Sequence, residues 1–172
     1  MALFYAKTGE QLCLNSDALV ENGVKDGVYL FDTDTATVTF KGLAAKPVVS
    51  LLRNFSAPVD LVFNYSDEEL AFLIQHETNG FNQWQATQTL LERILLEDHE
   101  PYTYVNAIKQ TIPALIDQDP LLASRLFDVP SEGYLGSRID SNYDPVVIQE
   151  KRDNLLELLA HELGDFCRST YK

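Results

Sequence analysis

The amino-acid sequence predicts an α+β chain of two parts. A β-sandwich occupies residues 1–64, and an α-helical, solenoid-like segment occupies residues 65–172. The first supporting observation is a change of hydrophobic period near Asn64, from that of a strand to that of a helix. The second is the recurrence of turn signals at short intervals before that point, which fits the short strands of a sandwich. The third is a series of helix-capping residues after it: Ser66, Asp119 and Asp144 each open an apolar run.

The strand candidates are Leu3–Ala6, Gln11–Leu14, Val28–Asp32, Thr35–Lys41, Val48–Arg53 and Val59–Asn64. Thr35–Phe40 is the clearest, because β-branched residues alternate along it. Lys7-Thr8-Gly9-Glu10 predicts a hairpin turn between the first two strands. Asn22-Gly23 and Asp26-Gly27 predict further turns, since these pairs tolerate positive φ. Six strands make a thin sandwich, which leads us to expect another strand upstream of Met1. Pro47 and Pro58 suit strand starts, because proline donates no N–H to a ladder. The run from Asn54 to Pro58 interrupts the alternation and predicts a corner with Phe55 buried.

Ser66 and Glu69 form a capping-box signature, and Asp67 and Glu68 suit the positive end of a helix dipole. The apolar residues Leu70, Phe72, Leu73 and Ile74 follow. Asn79-Gly80 ends this helix and starts the next. There Trp84, Gln88, Leu91 and Leu95 share one face, flanked by Phe81 and Ile94, with Gln88 the polar exception. A third helix is expected over Thr103–Asp117, buried through Val105, Ile108, Ile112 and Leu115, with Pro113 kinking or shortening it. Asp119-Pro120 pairs a cap with a first-turn proline and opens Leu121–Phe127. A short helix follows Ser131. Asp144-Pro145 repeats the device and opens a long helix to about Thr170. Its apolar face is Ile148, Leu155, Leu159, Leu163 and Phe166, widened by Leu156 and Leu158. No repeat of fixed period occurs, but the order of helix, short loop and helix fits antiparallel pairs stacked as an α-solenoid.

Composition narrows the function classes. The 172 residues are 45% apolar with seven prolines, enough to bury a core. No apolar run is long enough to span a membrane, and the N-terminus lacks the basic and apolar regions of a secretory signal. Cys13 and Cys167 lie one in each part, so we read them as free thiols and the chain as cytoplasmic. The net charge of -13 repels phosphate backbones and argues against nucleic acid as a partner. It is also uneven. Residues 1–64 carry five basic and seven acidic side chains, net -2; residues 65–172 carry eight and nineteen, net -11. A solvated helical surface accounts for this, with attraction of cationic peptides as the alternative.

Three His-Glu pairs invite a metal hypothesis: His76-Glu77, His99-Glu100 and His161-Glu162. A zinc-binding helix of the H-E-x-x-H type needs a second histidine four residues on, where this chain has Gly80, Thr103 and Asp165. His161 and Asp165 share a helical face but lack a third ligand. There is no Gly-x-Ser-x-Gly elbow, and no glycine-rich phosphate or dinucleotide loop. Cys13 has no histidine near it in sequence, and Cys167 sits on a helix near an acid, which disfavours the thiolate. Tyr102, Tyr104 and Trp84 read as packing residues rather than a ligand cage. Glu68/Glu69 and Asp117/Asp119 sit at helix ends, where capping accounts for them. No catalytic, substrate-binding or metal-ligating residue is assigned, and no cofactor.

One further set of residues is specific. It begins with Ser50-Leu51-Leu52-Arg53-Asn54-Phe55-Ser56-Ala57-Pro58-Val59. It continues through Tyr65-Ser66-Asp67, Leu70, Phe72-Leu73, His76, Asn79, Phe81, Trp84, Gln88 and Leu90-Leu91. This pattern resembles the junction between two non-catalytic domains of the bacterial aminopeptidase N family of zinc peptidases, and a weaker likeness extends to Asp144-Pro145. The resemblance implies an Ig-like sandwich that links a catalytic domain to a large C-terminal helical domain, which walls off the active-site cavity. This chain looks like most of that sandwich plus the first helices. The family's H-E-x-x-H motif and its Gly-x-Met-Glu-Asn segment are both absent, since the only methionine is Met1.

The expectation is therefore a non-catalytic structural part of such an enzyme, inactive alone. Zinc and peptide substrates belong to the parent. The partners are the parent's catalytic domain and remaining C-terminal helices, with a homodimer through exposed edges as a further expectation and no nucleic acid or membrane. The alternatives are a free-standing protein-binding module and an independent metalloenzyme built around His161.

Overall fold

The computed structural model describes residues 1–13, 19–20, 28–30, 32–139 and 144–170. Four short strands come first: β1 (Ala2–Phe4), β2 (Leu19–Val20), β3 (Phe40–Lys41) and β4 (Val48–Ser50). A 3-10 turn at Arg53–Phe55 leads to six helices. These are α1 (Asp67–His76), α2 (Gly80–Leu96), α3 (Pro101–Gln118), α4 (Pro120–Arg125), α5 (Glu132–Ser137) and α6 (Pro145–Thr170).

β1 pairs antiparallel with β4 in the register Ala2↔Ser50, Leu3↔Val49, Phe4↔Val48, and β2 pairs with β3. The expected Lys7–Glu10 turn is present. The Tyr5 N–H donates to the Glu10 carbonyl at 2.9 Å, and an antiparallel bridge joins Phe4 to Gln11. Gly9 has φ 74°, and a Cβ there would lie 2.1 Å from His76 Nδ1. The position requires glycine both for its backbone and for the ring beside it. The turns expected at Asn22-Gly23 and Asp26-Gly27, and parts of the strands at Gln11–Leu14 and Val28–Asp32, lie outside the described residues.

Two strand expectations change. Of Thr35–Lys41 only Phe40–Lys41 is a strand, because a ladder needs a partner and β2 meets only that end. Val59–Asn64 is not in a strand at all. Its alternation is real, but among the described residues no neighbouring strand accepts it.

The helices follow their caps. Ser66 accepts from the Glu69 N–H at 3.2 Å, and Glu69 accepts from the Ser66 N–H at 3.0 Å, so both halves of the capping box are made. Asn79 caps α2, Asp119 caps α4, Ser131 caps α5, and Asp144 accepts from the Val146 N–H at the start of α6. α3 runs past the exposed Pro113 to Gln118, so the proline does not shorten the helix. α4 stops at Arg125, two residues short of the expected end.

The core lies where α1, α2 and α3 pack together, with α6 laid across α2 and α3 through Ile148, Leu155, Leu159 and Leu163. Leu156 faces away and is 44% exposed, so it does not widen that face. The buried Gln88 donates to the Asp128 carbonyl at 2.8 Å, which accounts for a polar residue on the apolar stripe. Tyr104 is fully buried and donates to the Leu126 carbonyl at 2.7 Å. The β1–β4 pair sits on α1, where Phe4 meets Phe72 edge-on with centroids 6.3 Å apart.

Candidate functional site

The most specific chemistry lies where β4 hands over to α2. The chain leaves β4 through three residues in the left-handed region, Leu52 (φ 51°), Asn54 (φ 58°) and Phe55 (φ 52°). Non-glycine residues rarely adopt this conformation, and surrounding contacts have to hold it. Arg53 lies among them and donates to Glu77 Oε1 at 2.8 Å and to Thr78 Oγ1 at 2.6 Å. Glu77 Oε1 also accepts from the backbone N–H groups of Thr78 and Asn79, both at 2.7 Å. The Glu77 side chain is wholly buried and that of Arg53 is 21% exposed.

Two amides complete the joint. Asn82 donates to Ser50 Oγ at 2.9 Å and to the Leu51 carbonyl at 2.5 Å; Asn79 donates to Asn54 Oδ1. Tyr65 donates to the Val49 carbonyl at 2.9 Å, and its burial pushes the phenol up to about 12. The end of β4 is therefore tied to the start of α2 by side chains from both. Glu77 Oε2, Arg53 Nε and Asn82 Oδ1 are buried and make no hydrogen bond among the described residues.

Two clefts flank this joint. One, of about 720 Å³, lies between the start of α2, α4 and residues 128–134, and is lined by Phe81, Trp84, Leu121, Leu122, Val129 and Tyr134. The other, of about 570 Å³, lies between residues 50–63 and the α1–α2 surface. Phe81, Gln85 and Tyr134 line both clefts. Phe55 was expected to be buried in its corner. It is 59% exposed and rests edge-on against Phe81, with centroids 5.3 Å apart, because the left-handed backbone turns it outward.

The sequence candidates for chemistry are dispersed. The His76 ring lies tilted against Phe72 with centroids 4.5 Å apart, and partial burial lowers its pKa. His99 and Arg93 both bond Asp67, at 2.5 and 2.8 Å. Burial works against the Asp67 charge, but these two partners outweigh it and hold its pKa below the usual range. His161 is 82% exposed beside Glu162, which is held by Lys109. Asp165 pairs with Arg168 rather than with His161. Cys13 and Cys167 form no disulfide. Tyr102 is half exposed, and Trp84 packs against Phe81 rather than either tyrosine.

Among the described residues, no three His, Cys, Asp or Glu side chains gather as a metal site, so they do not fit a zinc ion. Nor is any helix long and apolar enough to cross a membrane. The joint residues Glu77 and Asn82 escaped the sequence reading. Glu77 drew notice only as the neighbour of a histidine; the family pattern reached Arg53, and Asn79 was marked both by that pattern and by the Asn79-Gly80 helix break.

Two family models match. Residues 1–64 match a domain of unknown function with an Ig-like fold (DUF3458), and residues 67–172 match one of ARM repeats (DUF3458_C). Proteins named aminopeptidase N are similar to this chain. That of Escherichia coli is 33% identical over 78% of the chain, and that of Caulobacter vibrioides 31% over 82%. That of Haemophilus influenzae is 39% identical over 73%. The chain spans only 16%, 17% and 15% of these relatives' own lengths. The solved structure of Legionella pneumophila aminopeptidase A in complex with aspartic acid superposes with a TM-score of 0.70. It is 23% identical and covers 95% of this chain and 18% of that one, and it carries the fold alone.

Proposed function

The chain belongs to the DUF3458_C family of ARM-repeat helical domains, here behind an Ig-like DUF3458 domain, and from that membership we propose that it is a non-catalytic structural part of an aminopeptidase N-like enzyme. Its sandwich, residues 1–64, links a catalytic domain to the helices of residues 65–172, and those helices help to enclose the active-site cavity. The parent removes N-terminal residues from peptides in the cytoplasm, and zinc supplies an activated water when bound there. That chemistry belongs to residues outside this chain. The catalytic domain and the remaining helices are the partners.

The observation that carries this reading is the identity to three aminopeptidases N across most of the chain. The tied joint is its physical counterpart. A linking element has to hold its two sides at a fixed angle, and Arg53, Glu77, Asn79 and Asn82 pin strand to helix with charge-assisted and amide bonds. The test is hydrolysis of an aminoacyl chromogenic substrate by the pure chain with added zinc. We expect no turnover above the blank; metal-dependent turnover that survives repurification would overturn the proposal.

A further inference from the structure

The joint holds one of the chain's two Asn-Gly pairs, Asn79-Gly80. An asparagine before glycine is chemically reactive, because the following backbone nitrogen has no Cβ beside it and can reach the side-chain carbonyl carbon. Here the surroundings restrain the pair. Asn79 Oδ1 accepts from the Asn82 N–H at 3.1 Å as the cap of α2, and Asn79 Nδ2 donates to Asn54 Oδ1. The Asn79 N–H donates to the buried Glu77 carboxylate at 2.7 Å. Leu122 of α4 covers Gly80, with its Cδ2 2.9 Å from where a Cβ would lie. Both ends of the Asn79 carboxamide are held by other residues, so Cγ cannot swing onto the Gly80 nitrogen until those bonds break.

We propose that Asn79-Gly80 is a site of spontaneous deamidation gated by the joint, closed while Asn54 and Asn82 hold the carboxamide and open when the turn after β4 parts from α2. The Gly80 nitrogen attacks Asn79 Cγ. The N–Cγ bond forms, the Cγ–Nδ2 bond breaks, and ammonia leaves with the proton of the Gly80 amide. Water then opens the five-membered imide at either carbonyl and gives an aspartyl or an isoaspartyl residue; nothing is oxidised or reduced. The products oppose reclosure. A carboxylate at residue 79 has no N–H to donate to Asn54 Oδ1, and it sets a second negative charge beside the buried Glu77. The isoaspartyl form also lengthens the backbone by one methylene at the first residue of α2, where Leu122 leaves no room. The reaction therefore tracks the population of the open joint, and its product records that opening.

The test is peptide mapping by mass spectrometry of the 172-residue protein held at mildly alkaline pH, folded or in urea, with conversion of residue 79 followed over time. Residue 79 of the folded wild type should react at least about tenfold more slowly than in urea. Asn54→Gly removes the acceptor of Nδ2 while suiting the backbone φ of 58°, so the fold is kept. It should speed the folded reaction about fivefold. Asn54→Asp keeps an acceptor there and should stay within about twofold of wild type. Ser66→Ala, which loosens the cap of α1 without touching Asn79, should speed the reaction less than Asn54→Gly does. Gly80→Ala sets a Cβ beside the attacking nitrogen and should slow the reaction in urea. The deamidated fraction, separated by its added charge, should melt below the unmodified protein. Any of four results would overturn the proposal: equal rates for the folded and urea-unfolded wild type, an Asn54→Gly rate no greater than that of Asn54→Asp or Ser66→Ala, a Gly80→Ala chain that reacts in urea as fast as wild type, or a deamidated fraction that melts with the unmodified protein.

Discussion

Replacing Arg53 by alanine withdraws the guanidinium from a carboxylate with no exposure to water. The Glu77 side chain is fully buried, and Arg53 is 2.8 Å from its Oε1. Breaking a buried pair by removing one partner costs about 3–5 kcal/mol, because the remaining charge is left uncompensated. Two features lower that figure here. The N–H groups of Thr78 and Asn79 still donate to Oε1, and the Met1 amino group also feels the Glu77 charge. We therefore expect about 2–3 kcal/mol for Arg53→Ala. Glu77→Gln keeps an oxygen for the two backbone donors and leaves an arginine that reaches water, so it should cost about 1 kcal/mol. Trp84, the only tryptophan, lies in α2 near the joint and reports its loss. The assay is urea unfolding followed by Trp84 fluorescence, comparing midpoints at constant m, with the double variant closing a cycle. A cost below about 0.5 kcal/mol for Arg53→Ala, or a coupling energy near zero, would refute the reasoning.

Four other outcomes are expected. Ser66→Ala removes half of the capping box and should lower stability by about 1 kcal/mol, measured by thermal unfolding. Gly9→Ala forces a side chain onto a backbone at φ 74° and into the His76 ring, and should cost at least about 1 kcal/mol. Gly80→Ala should be nearly neutral in the same melt, since its Cβ meets only the tip of Leu122, at 2.9 Å. Asp67 has a folded pKa below its ordinary 3.8, so its stabilisation is fully present above that value and is lost as pH falls through the folded pKa. Unfolding measured across the acid range should show Asp67→Asn with a shallower loss than wild type.

Local features were legible because local chemistry makes them. Ser66, Asp119 and Asp144 cap the backbone a few residues away, and their helices start where the sequence places them. What required a distant partner was not legible. The alternation of Val59–Asn64 is the same whether or not a second strand lies beside it, and Gln88 breaks its stripe for a carbonyl forty residues on. Pro113 lies on an exposed face of α3, where losing one N–H does not end the helix. Phe55 is apolar enough to suggest burial, but the left-handed turn that presents it is fixed by Asn79 across the joint. The candidate site shows the same division. Its family pattern could be read directly, whereas Glu77 becomes an anchor only once the fold brings Arg53 to it.

The central claim is that this chain is the structural, non-catalytic part of a larger zinc peptidase. The measurement that tests it most directly is tandem mass spectrometry of the native polypeptide carrying this sequence, isolated at its full mass. The account predicts a species several times heavier than 19.4 kDa, with an H-E-x-x-H peptide in the same polypeptide. A native species of 19.4 kDa, or a larger one with no such motif, would contradict it.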